Sequence, residues 1–296
     1  MKRRINAALR RSGYQLTRVR GPQTAGAGPA APERPKLRPL RHRTPRLLHE
    51  PAFVLSTVRS GSTLLRLLLD SHSEIHSPHE MHLRSIKVEI TGKYGDKALA
   101  EVKLDRDELN HVLWDWYLHR ELASTGKRLL VNKTPSDVWI TDGIRACWPD
   151  ARFIFLLRHP LAVARSRHAL RPEDSEAANV RRVLKYAQAV EGARQALPGH
   201  TVRYEDLASD PVGETQKLCA FLGVEWEPSM LEYGRFAHGR LRAGLGDWKD
   251  AIRTGEVQPP KPLPDLAEVP EPLRPITAAW GYASEVVGPE LERSER

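Results

Sequence analysis

The segment Phe53–Glu80, FVLSTVRSGSTLLRLLLDSHSEIHSPHE, contains a short apolar run, a polar loop and a second apolar run, in that order. Residues 53–55 are β-prone, and residues 56–63 bring small residues, hydroxyls, one Gly and one Arg. The leucines of residues 64–69 predict a helix that is buried on most sides. Its first turn then presents free N–H groups and the positive end of the helix dipole to the loop. The segment therefore predicts an anion-binding loop.

A nucleoside triphosphate loop, G-x-x-x-x-G-K-[ST], is the first alternative for this segment. Ser56 occupies the place of the first Gly, and Ser62 occupies the place of the Lys that reaches the β- and γ-phosphates. A kinase or NTPase is disfavoured for that reason. A strand-to-helix turn with no ligand remains open at this point.

The charge of the chain is unevenly distributed. The 296 residues carry a net charge of +9, yet residues 1–50 alone hold 13 Lys and Arg against two Glu, which leaves −2 for the rest. Residues 1–47 are also rich in Pro and Ala, and we expect a poorly ordered, solvated extension ahead of one domain at 48–296. The alternative is a tether to anionic lipid at the inner membrane face. Nucleic-acid binding is not expected, because no binding module or interleaved aromatics accompany the charge.

Cys147 and Cys219 are the two cysteines, and both have apolar neighbours. This pattern predicts buried thiols in a reducing compartment. No apolar run approaches the ~20 residues that a membrane-spanning helix needs, and the N-terminus lacks the continuous apolar core of a signal peptide. A cytoplasmic protein is expected.

Further strands alternate with helices along the chain, which predicts an α/β fold with a central parallel sheet flanked by helices. Residues 128–131, 152–157 and 201–204 are predicted strands, and residues 135–147, 160–166, 175–197 and 211–222 are predicted helices. A helix is also predicted around residues 109–117, with its apolar members packed in the core: Leu109, Val112, Leu113, Trp116 and Tyr117.

Cationic side chains follow three of the predicted strands. Arg59 follows the first, Lys133 the second and Arg158 the third, and Tyr204 stands near the end of the fourth. Ligands of parallel sheets bind at the carboxyl ends of the strands. Three cations at one edge predict a ligand with more than one anionic group.

Several separated motifs resemble those of the sulfotransferases that use 3′-phosphoadenosine 5′-phosphosulfate, the tyrosylprotein and bacterial enzymes in particular. The motifs cover residues 51–250, and the resemblance implies a P-loop-like three-layer fold. The 5′-phosphosulfate loop corresponds to Arg59, Ser60, Gly61, Ser62 and Thr63. The 3′-phosphate motif corresponds to Arg158 with Ser166, the adenine-side tyrosine to Tyr204, and the late basic-glycine segment to Gly246 with Arg240 and Arg242.

The resemblance also implies the catalytic residues. Lys133, in Asn132–Pro135, corresponds to the family's lysine after the second core strand, and Glu80 falls where related enzymes carry a catalytic glutamate. Arg59 would assist by holding sulfuryl oxygens. The expected product is 3′,5′-diphosphoadenosine, with no metal required. A carbohydrate, a glycolipid, a small metabolite and a tyrosine all remain open as the hydroxyl acceptor, and an ATP-dependent phosphotransferase or a non-catalytic nucleotide-binding protein remains the alternative function.

Four histidines lie close together at positions 72, 76, 79 and 82. Their spacing would suit a metal site on one helix face, but Pro78 interrupts any helix through them. We expect histidines of the acceptor pocket or the surface rather than metal ligands.

Overall fold

A five-stranded parallel sheet forms the centre of the computed structural model, which describes residues 45–238, 252 and 254–282. The strand order is β2-β3-β1-β4-β5. In the middle of the sheet Val54 pairs with Lys133 on one side and Ile154 on the other. The strands are β1 Ala52–Ser56, β2 Ile75–His76, β3 Leu129–Lys133, β4 Arg152–Leu157 and β5 His200–Arg203.

Helices connect the strands and cover both faces of the sheet. The α-helices are α1 Ser62–Asp70, α2 Gly95–Glu101, α3 Arg106–Ala123, α4 Thr141–Cys147, α5 Pro160–His168, α6 Glu176–Ala196, α7 Tyr204–Ser209, α8 Pro211–Leu222 and α9 Arg274–Ala279. The 3-10 segments are Leu83–Ser85, Pro135–Trp139, Pro228–Arg235, Leu266–Glu268 and Glu271–Leu273. None of the helices in the described ranges is long and apolar enough to cross a membrane.

Two apolar cores lie on opposite faces of the sheet because strand side chains alternate. Phe53 and Leu55 of β1 enter the core that α3, α5 and α6 cover. Val54 enters the second core, which α1 and α8 cover. All nine residues of α1 are buried, as its leucine run predicts. The predicted P-loop-like three-layer α/β fold is confirmed.

Helix α3 forms where its pattern predicts, but its predicted inward face is correct only in part: Tyr117 is half-buried against the core and Leu109 is half-buried. Val112, Leu113 and Trp116 are exposed. The buried face instead carries polar groups such as Glu108 and Asp115, together with Trp114, Leu118 and Leu122. These polar groups have partners, and burial of a polar side chain is tolerated when its hydrogen bonds are made.

Asp115 joins α3 to the chain that enters β1. Its carboxylate accepts the backbone N–H of Leu47 at 2.6 Å, the N–H of Leu48 at 3.1 Å and the indole N–H of Trp148 at 2.9 Å. The Glu108 carboxylate in turn accepts hydrogen bonds from both Nη1 and Nη2 of Arg46. The polar inner face of α3 thus fixes the segment that leads into the central strand.

Two further predictions concern boundaries and thiols. Tyr204 begins α7 rather than ending β5, because the strand stops at Arg203. Cys147 and Cys219 are buried free thiols, as predicted. Burial raises the pKa of Cys219 to about 11, so this thiol is not ionised at neutral pH.

The loop between β1 and α1 is closed by a glycine against a tyrosine. Gly61 has a φ of 87° and precedes α1 as its N-cap residue. A Cβ atom on Gly61 would lie 2.2 Å from Cδ2 of Tyr204. Glycine is therefore required at position 61 for two reasons: its φ lies in the left-handed region, and a Cβ atom would clash with the Tyr204 ring.

Replacing Asp115 by Ala should destabilise the fold strongly. The change leaves three buried or half-buried N–H groups without their acceptor, which we expect to lower the free energy of unfolding by about 3 kcal/mol. Urea denaturation measures this loss. Asp107→Ala, at an exposed position on the same helix, is the matched control and should cost under about 1 kcal/mol; similar losses in both variants would contradict this account of Asp115.

Gly61→Ala should cost more stability than Gly126→Ala. Gly126 also has a positive φ, of 71°, but a Cβ there would meet nothing within 4 Å, so it reports backbone strain alone. We expect Gly61→Ala to lower the free energy of unfolding by roughly 1 kcal/mol more, from the added clash with Tyr204. Measured in the Tyr204→Ala background, that excess should shrink, and an unchanged excess would argue against the clash.

Candidate active site

A cleft of about 970 Å³ opens at the carboxyl ends of the strands. It is lined by most of the residues that the sequence singled out: Arg59, Gly61, Ser62, Thr63, Glu80, Arg158, Ser166 and Tyr204. Ser60 and Lys133 have no exposed surface and lie outside the cleft lining. The fold therefore brings the loop, both strand-end arginines and the predicted base to one place.

The loop is linked to α5 through its arginine. Arg59 has a left-handed backbone with a φ of 72°, and its Nε donates to Oγ of Ser166 at 3.2 Å. Arg158 Nη1 donates to the Arg59 carbonyl at 2.9 Å. Ser60 Oγ donates to the Thr57 carbonyl at 2.8 Å and closes the turn. The two arginines of the motifs are thus linked by a direct hydrogen bond.

Tyr204 packs between the loop and the second arginine. The Cζ atom of Arg158 lies 4.2 Å from the centre of the Tyr204 ring, within the range of a cation–π contact. The same ring closes over Gly61. Tyr204 therefore shapes the loop side of the cleft, and its place at the start of α7 puts it there.

Lys133 and Glu80 form an ion pair at the edge of the cleft. Lys133 Nζ donates to Glu80 Oε1 at 2.6 Å, and the lysine side chain has no exposed surface, whereas that of Glu80 is 15% exposed. The second oxygen, Oε2, lies 3.8 Å from Nε2 of His82. One face of the carboxylate is therefore held by the lysine, and the residue retains access to the cleft.

The irregular stretch that carries Glu80 is fastened to strand β3. Ser77 Oγ donates to the Val131 carbonyl at 2.8 Å, and the Met81 N–H donates to Thr134 Oγ1 at 3.1 Å. Buried Arg66 of α1 donates to the Ser77 carbonyl at 2.9 Å. These bonds lie on either side of Glu80 and hold it beside the end of β3.

Asp70, at the end of α1, anchors the other side of this stretch. It accepts the Ser77 N–H at 2.9 Å, His76 Nδ1 at 3.1 Å and His238 Nδ1 at 2.7 Å. Burial alone would raise the pKa of the Asp70 carboxyl, but hydrogen bonds from His238, His76 and Ser77 hold it well below its ordinary value. Asp70 is therefore ionised at neutral pH and acts as a structural anion.

The four clustered histidines have different surroundings. His72 bonds the Glu225 carbonyl, His76 bonds Asp70, His79 is exposed and His82 faces Glu80. Within the part of the chain that the structure describes, no three His, Cys, Asp or Glu residues are grouped to hold a metal ion.

The cleft also contains residues that the motifs did not indicate. Arg165, Arg171 and Lys261 add positive charge, and Tyr233, Glu256 and Gln258 extend the wall. Arg165 adjoins Ser166 in the sequence, which is the one local signal for it. Several of the lining residues belong to the stretch 257–264, which contains four prolines. Arg240, Arg242 and Gly246 lie outside the described residues, as does almost all of the extension 1–47.

Comparison with known proteins gives a family match. A model described as "Sulfotransferase family" matches residues 51–228, more than half of the chain. The nodulation protein NoeE of Sinorhizobium fredii is 32% identical over 58% of this chain and 50% of its own length. Protein-tyrosine sulfotransferase 2 of Gallus gallus is 23% identical over 61% of this chain and 53% of its own. The chain spans about half the length of these curated relatives.

Two solved structures share the fold over most of the chain. The sulfotransferase domain from the Curacin biosynthetic pathway has a TM-score of 0.57 and 26% identity, and covers 80% of this chain and 99% of that domain. The sulfotransferase domain from the Synechococcus PCC 7002 olefin synthase has a TM-score of 0.59 and 24% identity, and covers 83% and 98%. With the family model matched across β1 to α8, the chain belongs to the sulfotransferase family.

Proposed function

We propose that this protein transfers a sulfuryl group from 3′-phosphoadenosine 5′-phosphosulfate to a hydroxyl of its acceptor. The observation that carries the proposal is the contact between Glu80 and Lys133 beside a cleft that Glu80 lines together with Arg59, Gly61, Ser62 and Thr63 of the loop. A base and a cation are the two groups that this transfer needs beyond the donor site.

The residues around the loop fit such a donor. The N-terminus of α1 offers backbone N–H groups to an anion, and Gly61, the N-cap residue, leaves room for the Tyr204 ring beside them. Arg158 and Ser166 both hydrogen-bond to Arg59, so they lie next to the loop and can bind a second anionic group of the same ligand. We assign residues 59–63 to the 5′-phosphosulfate and Arg158 with Ser166 to the 3′-phosphate.

The chemistry moves one group and one proton. A bond forms between the acceptor oxygen and sulfur, while the bond from sulfur to the bridging phosphate oxygen breaks and leaves its electron pair on 3′,5′-diphosphoadenosine. Glu80 takes the proton of the acceptor hydroxyl. Lys133 balances the charge that grows on the departing oxygen, and Arg59 holds the sulfuryl oxygens.

The acceptor is a hydroxyl compound bound on the Glu80 side of the cleft. The name of one relative specifies protein tyrosine, and carbohydrate, glycolipid and small-metabolite hydroxyls fit the same chemistry. We place the enzymatic unit in residues 48–296 and the basic extension in 1–47. Transfer of labelled sulfuryl from the donor to a panel of such acceptors tests the proposal directly.

Glu80→Gln should abolish most turnover while the donor product still binds. The amide oxygen can accept from Lys133, so the site should stay folded, but it cannot take the acceptor proton. We expect kcat to fall by about 10²-fold or more, with the Kd for 3′,5′-diphosphoadenosine within about threefold of the wild-type value. Glu101→Gln, at an exposed position, should leave both quantities unchanged; near-normal kcat in Glu80→Gln would refute the base assignment.

Ser166→Ala should reduce the preference for a 3′-phosphate. The wild-type protein should bind 3′,5′-diphosphoadenosine at least about tenfold more tightly than AMP, since a hydrogen bond to a charged group contributes ~1.5 to 3 kcal/mol. Calorimetry gives both affinities. In Ser166→Ala the ratio of the Kd for AMP to the Kd for 3′,5′-diphosphoadenosine should be smaller than in the wild type. Ser209→Ala, at an exposed position at the end of α7, should leave that ratio unchanged. Equal binding of both nucleotides by the wild type would sink the 3′-phosphate assignment.

A further inference from the structure

Asp137 is a buried carboxyl that the proposed chemistry does not use. It lies in the 3-10 segment Pro135–Trp139, directly after the strand that ends in Lys133, and it is 1% exposed. Its Oδ2 accepts Nδ2 of buried Asn132 at 2.7 Å. Its Oδ1 has no hydrogen-bond partner within the described ranges. Such an oxygen is costly to bury when the group is ionised.

The Glu80–Lys133 pair acts electrostatically on Asp137. Burial is the largest cause that raises the pKa of Asp137, and the Glu80 charge also raises it, while Lys133 and the Asn132 hydrogen bond oppose the shift; together they raise the pKa to about 8. Two carboxyl groups and one ammonium thus interact electrostatically. If Asp137 holds a proton, Glu80 and Lys133 balance each other; if both acids ionise, this group of three carries a net negative charge.

The elements packed on the segment carry other charged residues, but none of them is among the groups that shift the pKa of Asp137. Strand β1 contributes no titratable side chain. The remaining charged or titratable groups on the neighbouring elements include Arg84 on the 3-10 segment Leu83–Ser85, and Lys185 and Tyr186 on α6, of which Lys185 and Tyr186 contact the ring of Trp139. The charges that shift Asp137 are those of Glu80 and Lys133.

We propose that Asp137 is a positioning residue that acts through Lys133: protonated, it leaves Lys133 able to balance the departing phosphate oxygen, and ionised, it competes for that ammonium. This role rests on the proposed sulfuryl transfer. It assigns the residue no contact with either substrate. Its consequence is that turnover falls as pH rises through about 8, because the competing carboxylate then appears beside the lysine.

The pH profile of kcat tests this role in the full chain. Asp137→Asn mimics the protonated acid, since the amide is neutral and nearly isosteric. Between pH 6.5 and 9.5 we expect kcat of the wild type to fall by about tenfold or more, as one ionisation switches the site. In Asp137→Asn the fall in kcat over the same pH range should be below about threefold. Asp142→Asn, exposed on α4, should reproduce the wild-type profile; identical profiles in all three proteins would overturn the positioning role.

Thermal unfolding tests the protonation itself without any turnover. A carboxyl whose folded pKa is raised binds more protons in the folded state, so it contributes stability at low pH that is lost as pH rises from about 4 to about 8. The Tm of Asp137→Asn relative to the wild type should therefore increase over pH 5 to 8 and stay constant above. The relative Tm of Asp142→Asn should stay flat.

The two measurements separate the possible failures. A relative Tm of Asp137→Asn that does not change with pH would mean that the folded protein holds Asp137 ionised, which overturns the proposal. If the Tm difference grows with pH but no acceptor is sulfated at any pH, the proposed function fails and takes the positioning role with it, although Asp137 is still protonated. A growing Tm difference together with a flattened kcat profile supports the proposal.

Discussion

A lysine with no exposed surface requires an anion beside it. Removing an ammonium from water costs several kcal/mol, and a close carboxylate offsets that cost. Lys133 meets this requirement with Glu80. Since Lys133 is fixed at the end of β3, next to the central strand, the stretch after α1 must return to that point. The bonds from Ser77 and Met81 to β3 and the turn after it are what bring it back.

Much of this architecture follows from local sequence patterns. Strands β1, β3 and β4 each contain an apolar run of three or more residues, and parallel strands buried on both faces have that pattern. Strand β2 has two residues, too few to produce a pattern, and is defined by its pairing with β3. The inward face of α3 was missed for a different reason. Asp115 and Glu108 are buried because distant N–H groups and Arg46 bind them, and periodicity does not report such partners.

The same distinction applies to the site: the positions of some of its residues follow from the sequence pattern, and those of others depend on the tertiary fold. Arg59 and Gly61 lie in the loop after β1 and Arg158 comes directly after β4, so their convergence follows from the parallel order of the sheet. Lys261 reaches the cleft from a segment with no regular structure, and its approach depends on the tertiary fold. Asp137 could be read in the sequence as an ordinary acid in a turn after a proline. Its burial against Asn132, and the neighbouring pair of charges, appear once the chain is folded.

The loop keeps a backbone that an isolated chain would not favour. Arg59 is in the left-handed region, which costs a non-glycine residue about 1 to 2 kcal/mol. Arg158 offsets part of that cost through its bond to the Arg59 carbonyl, and the Tyr204 ring holds Arg158 in turn. Each residue in this series of contacts restricts the next one, so the guanidinium groups of Arg59 and Arg158 are oriented before a ligand binds. Prior orientation lowers the entropy lost on binding, which is the advantage of placing a strained loop against a rigid sheet edge.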